Sequence, residues 1–73
     1  MSQELNIGAT VRLILLPAYL KTADPMPMLR PSSLLEVGAE GIITDRRPGN
    51  YWAVKFDRSS FLLEARYLAV VSS

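Results

Sequence analysis

Asp45 and Glu64 fall on segments that can approach each other across neighbouring strands, and an acid–base pair is the chemistry such an approach allows. Each has an arginine close by, Arg46 and Arg66, and beside those cations both read as surface charge. The other five acids of the 73-residue chain are scattered without a recognisable spacing. Histidine and cysteine are absent. That removes imidazole and thiol catalysis, Cys/His zinc sites and any disulfide framework. The two glycines of Gly38-Ala39-Glu40-Gly41 stand at the start of a strand, where a turn role explains them, and no glycine-rich phosphate loop exists. No enzymatic activity, cofactor, metal or small-molecule substrate is expected.

Binding remains, and three groups of residues offer it. The first is aromatic: Tyr19, Tyr51 and Tyr67, with Trp52 beside Tyr51. Tyrosine combines a broad apolar face with a hydroxyl tip, which suits a docking groove. The alternation Trp52, Val54, Phe56 against Tyr51, Ala53, Lys55 puts Trp52 on the core side and Tyr51 on the other. The second group is LKTADPMPMLRP, residues 20–31, with Lys21, Met26, Met28 and Arg30. Residues that precede proline are held extended, so the segment is stiff. Its methionines either offer an adaptable apolar surface to a partner, or Met26, Met28 and Leu29 fold down as a lid over an open end of the barrel. The third is Arg46-Arg47, expected at a hairpin tip, where paired guanidinium groups grip a partner's carboxylate or phosphate.

Short strands must position these residues. Val11–Leu16 is an apolar, β-branched run ended by Pro17. Residues 17–37 hold four of the five prolines and read as one long loop, with a short helical turn near residues 32–36. Strands follow at 42–45, 51–56, 61–64 and 68–71. The second and third are joined by a Pro48-Gly49 turn, the third and fourth by Asp57–Ser60. Ala65-Arg66-Tyr67 forms one tight helical turn before the last strand. No helix of three turns fits anywhere. Five short strands with tight turns and one long loop predict an all-β fold, a small five-stranded SH3-like barrel with a long RT-like loop and a single 3-10 turn. The expected organisation is a flexible N-terminus at 1–6, the barrel domain at 7–71 and a tail at 72–73.

Composition bounds the rest. Nearly half of the chain is hydrophobic, so packing must supply the stability. The formal charge is +1, without the basic excess of a nucleic-acid binder. The start lacks a basic and apolar leader pattern. The apolar run Leu13–Leu20 is too short to span a bilayer and contains Pro17. These features predict a cytoplasmic protein without membrane insertion and without a nucleic-acid partner.

A polyproline-binding SH3 role fits poorly, because such loops use clustered acids to hold a ligand's arginine. Here Asp24 stands between Lys21 and Arg30. The strings KTADPMPMLRP, GAEGIITDRRPGNYWAVKF and FLLEARYL resemble the SipA family, small regulators of cyanobacteria and plastid-bearing eukaryotes, over about residues 7 to 71. That resemblance implies an SH3-like barrel without enzymatic activity. It also implies a partner, the sensor histidine kinase NblS, whose autophosphorylation such a protein raises in light and nutrient stress signalling. The docking residues expected from the sequence itself are Tyr19, Lys21, Met26, Met28, Arg30, Arg46, Arg47, Tyr51 and Tyr67. Two alternatives stand beside this reading. Gly-x-x-Val-Arg and Gly-x-x-Gly-Ile-Ile echo the KOW type of nucleic-acid or ribosome-associated barrel, and photosynthetic complexes carry SH3-like structural subunits.

Overall fold

The computed structural model describes residues 5–57 and 59–72. Most of the flexible start expected at 1–6, Arg58 of the expected turn and Ser73 of the expected tail lie outside them. The described residues form an antiparallel β-structure with two single-turn 3-10 segments. Seven strands run in chain order: β1 (Thr10–Leu13), β2 (Tyr19–Thr22), β3 (Leu29–Pro31), β4 (Glu40–Arg47), β5 (Tyr51–Lys55), β6 (Ser60–Glu64) and β7 (Leu68–Ser72). Their order across the sheet is β3-β2-β6-β5-β4-β1-β7. The sheet is open rather than closed into a barrel, with β3 and β7 at its ends.

Five of the strands and the turn at Ala65–Tyr67 lie where the hydrophobic pattern puts them. The expected loop at 17–37 is different. It folds back as a hairpin, β2 and β3, followed by a 3-10 turn at Ser32–Leu34. Leu20 is the reason the hairpin holds to the sheet: it is fully buried, while Tyr19 and Lys21 on either side are exposed. Backbone pairing of Lys21 with Leu62 and of Thr22 with Phe61 then ties β2 to β6.

The core lies on one face. Val11, Leu13, Leu20, Ile43, Val54, Phe56, Phe61, Leu63 and Leu68 are all buried there. Trp52 packs against it half-buried, on the side that alternation assigns to it. Gly41 belongs to this packing and not to a turn. A β-carbon on it would lie 2.8 Å from the Lys55 carbonyl oxygen and 2.8 Å from Val54 Cγ1, so only hydrogen lets β4 lie this close to β5. Gly38 and Gly49 do carry turn roles, with φ of 100° and 80°.

Central strands are covered on both faces. On the outer face Ala53 and Leu62 are buried although neither belongs to the core cluster. A bulge in β4 shapes that face. Ile43 pairs with Val54 and Asp45 with Ala53, leaving Thr44 as the extra residue. Its hydroxyl donates to the Ala53 carbonyl (3.2 Å). The extra residue inverts the alternation, so Asp45 turns outward instead of facing the core.

Candidate protein-docking face

The β2–β3 hairpin carries the three most exposed large apolar side chains of the described residues, Met26, Leu29 and Tyr19. Its stem is in register from Tyr19 opposite Pro31 to Lys21 opposite Leu29. Two bonds close its tip: the Thr22 N–H donates to the Met28 carbonyl (2.9 Å), and the Met28 N–H donates to the Thr22 hydroxyl (2.8 Å). Thr22 thereby fixes a five-residue reversal that contains Pro25 and Pro27. Met26 at the tip is 83% exposed, Leu29 67%, Tyr19 65% and Met28 57%. The methionines are displayed, which decides between the two sequence readings against a lid.

Strand alternation sorts the hairpin's side chains. Tyr19, Lys21 and Leu29 share the outer face of the sheet, where Tyr51 and Arg47 also lie. The Lys21 ammonium sits 5.5 Å from the centroid of the Tyr51 ring. Met28 and Arg30 take the opposite side of the hairpin. Arg30 is exposed and lines an open cleft with Thr22, Asp24, Leu34 and Phe61.

Arg46 and Arg47 are not a paired grip at a hairpin tip, as the sequence suggests. They are consecutive residues of β4 and therefore point to opposite faces. Asp45 engages both: its Oδ1 accepts the Arg46 backbone N–H (2.8 Å) and its Oδ2 accepts from Arg47 Nε (3.0 Å). The Arg46 guanidinium lies 5.5 Å from the Trp52 ring, its cross-strand neighbour. Tyr67 is also placed elsewhere. It packs half-buried against the core. Arg66 lies over its ring at 4.8 Å, donates to its hydroxyl (2.9 Å) and pairs with Glu64 (3.0 Å). Asp45 and Glu64 sit on β4 and β6 with β5 between them, each paired with an arginine.

The hairpin thus brings together Tyr19, Lys21, Met26, Met28 and Arg30, and Tyr51 joins through Lys21. Leu29 joins them, although the sequence reading gives it only as part of a lid. Its signal was parity: it stands two residues from Pro27 and two from Pro31, in an extended run. No group of acids suited to hold a metal ion occurs among the described residues, and no helix there is long and apolar enough to cross a membrane.

Comparison with known proteins identifies the chain's relatives. The family model described as "Protein CHLORORESPIRATORY REDUCTION 42-like" matches residues 7–68. The chain belongs to this CRR42-like family. The protein CHLORORESPIRATORY REDUCTION 42 of Arabidopsis thaliana, a chloroplastic protein, is 35% identical over 65 residues, which cover 88% of the chain and 54% of the relative. The chain therefore spans about half the length of the curated relative it matches. No solved structure matches.

CRR42-like membership overturns the resemblance to the SipA family. With it fall the sensor histidine kinase as partner, the stimulation of its autophosphorylation and a place in two-component signalling. The expected cytoplasmic localisation is corrected too, because the relative is chloroplastic. The misleading strings are those of the β2–β3 hairpin, the β4–β5 hairpin and β6 with the 3-10 turn after it, local arrangements that different families can share.

Proposed function

We propose that this CRR42-like chain is a non-catalytic docking module that takes part in chlororespiratory reduction as a component of a photosynthetic complex. The observation that carries this reading is the β2–β3 hairpin, which holds Tyr19, Met26, Met28 and Leu29 in solvent on a stiff, twice-bonded stem. Large apolar side chains gathered on one element mark a partner surface. The hairpin's geometry is fixed before binding, so docking costs little ordering entropy. The name of the plant relative supplies the process.

Within this proposal the fold is an opened SH3-like arrangement. Strands β1, β4, β5, β6 and β7 correspond to the five expected strands, the hairpin occupies the place of the RT loop, and a 3-10 turn precedes the last strand. Among the described residues, Asp45 and Glu64 are each engaged by arginine on separate strands. That favours binding over chemistry.

The test is genetic and then local. Deleting the chain from its host should lower chlororespiratory reduction, followed by chlorophyll fluorescence as dark reduction of the photosynthetic electron carriers. The wild-type chain should restore it and Met26→Asp should not. A deletion strain with unchanged dark reduction would remove the proposal.

A further inference from the structure

The prolines of the hairpin fall on one parity, and that parity has a physical meaning. In an antiparallel pair, opposed residues alternate between those that exchange hydrogen bonds and those whose N–H and C=O point away. Thr22 and Met28 are bonded. By alternation Leu20 and Arg30 are bonded, whereas Lys21 with Leu29 and Tyr19 with Pro31 are not. On β3 the odd-numbered residues therefore aim their backbone groups outward, away from β2. Since β3 ends the sheet, those groups face the open edge. Pro31 stands at such a position, and Pro27 follows the same alternation one residue before the bonded Met28, so a missing N–H costs the hairpin nothing at either. Of residues 27, 29 and 31, Leu29 alone offers a donor to the edge, while Leu29 and Pro31 offer acceptors. All three residues of β3 are exposed.

We infer that this edge receives an extended segment of a protein partner as an added antiparallel strand, with an acidic residue followed by an apolar one at its centre. The inference rests on the docking reading above. A second copy of the chain is the poorer occupant. Two β3 edges paired about Leu29 would exchange two bonds there, but Pro31 would face Pro27 of the other copy and neither donates. A partner strand without proline at those positions exchanges the same two bonds with Leu29 and donates a third to the Pro31 carbonyl. Side chains of paired residues lie on the same face. The residue opposite Leu29 thus joins the apolar outer face with Tyr19, and the residue before it stands beside Arg30. Arg30 is exposed and has no ion pair among the described residues, so a carboxylate there is complementary.

The experiment uses the intact chain and an acetylated eight-residue peptide with Glu-Val at its centre. Two control peptides carry Lys for Glu, or an N-methyl group on the central Val that removes its N–H. Nuclear magnetic resonance of the 15N-labelled chain should place the shifts at residues 29–31 and slow hydrogen exchange at the Leu29 amide. The Glu peptide should bind roughly fivefold more tightly than the Lys peptide, as an opposed charge pair of this kind implies, and N-methylation should abolish the Leu29 protection. Pro27→Ala combined with Pro31→Ala should add outward donors and make the chain self-associate in sedimentation. Equal binding of the three peptides, shifts confined to other strands, or a wild-type chain already paired through β3 would each overturn the inference. The Leu29→Pro variant separates the two levels, because its lost N–H is not used by β2. Capture of the native complex that is lost with Met26→Asp but intact with Leu29→Pro would reject the strand addition and leave the docking role standing.

Discussion

The Lys21 ammonium lies 5.5 Å from the centroid of the Tyr51 ring, although β6 runs between the strands that carry them. To make this contact the lysine stem must cross Leu62, which pairs with Lys21 on one side and with Ala53 on the other. That explains how Leu62 and Ala53 become buried on the face away from the core. A long charged side chain serves here as an apolar cover with its charge held over an aromatic ring.

Lys21→Ala should therefore lower stability by about 1 kcal/mol, from the uncovered Leu62 and an exposed cation–π contact of roughly 0.5–1 kcal/mol. In a domain this small, that is a fall of about 4–8 °C in thermal midpoint. Lys21→Met keeps the stem and should lose about half as much. Equal losses for both variants would show that the charge alone matters and that the cover does not.

Gly41→Ala tests the close approach of β4 and β5. The added carbon would meet the Lys55 carbonyl oxygen and Val54 Cγ1 at 2.8 Å each. The first is backbone and cannot swing aside. The expected cost is about 1–3 kcal/mol, as for other additions to a full core, read as a lower urea midpoint with the same slope. A midpoint within error of the wild type would mean that the strands separate easily at this point.

Phe56 closes the core beyond the end of β5 and packs at 6.4 Å, tilted, against Phe61. It is 6% exposed, so Phe56→Ala should cost about 3–5 kcal/mol and leave much of the chain unfolded at 37 °C. By contrast, Arg12→Ala removes a 2.9 Å ion pair to Glu40 whose side chains are about half exposed. Such a pair is worth roughly 0–1 kcal/mol, and its loss should fade further in 0.5 M salt. Circular dichroism melts of the two variants, run at low and high salt, check both statements.

These positions differ in how legible they are in the sequence. Val54, Phe56, Phe61 and Leu63 follow hydrophobic patterns strong enough to locate the central strands from residue types alone. The hairpin is not legible in that way. Its strands have four and three residues, Leu20 is their single buried side chain, and proline ordinarily argues against a strand. Only an edge position with outward-facing prolines reconciles the two. Arg46 and Arg47 read as a common tip because the apolar pattern stops before them, although β4 runs on to Arg47. Family and partner are misread for a different reason. Short proline-rich and aromatic strings report local geometry, and local geometry does not identify a partner.

Tyr67 and Met26 separate folding from docking. Both are candidate partner residues in the sequence, yet Tyr67 packs against the core beneath Arg66 and Met26 is 83% exposed at the hairpin tip. Tyr67→Ala should destabilise the chain by about 2 kcal/mol or more, within the range for truncating large core side chains. Tyr67→Phe loses only the hydroxyl's bond from Arg66 and should cost about 0.5–1.5 kcal/mol. Met26→Asp touches no core residue and should change the thermal midpoint by less than the equivalent of about 0.5 kcal/mol. It places a charge in the apolar patch, so capture of the native complex should fall at least tenfold, which is about 1.4 kcal/mol of lost affinity. A Met26→Asp chain that melts like the wild type and still captures the complex at full strength would move the docking face away from the hairpin.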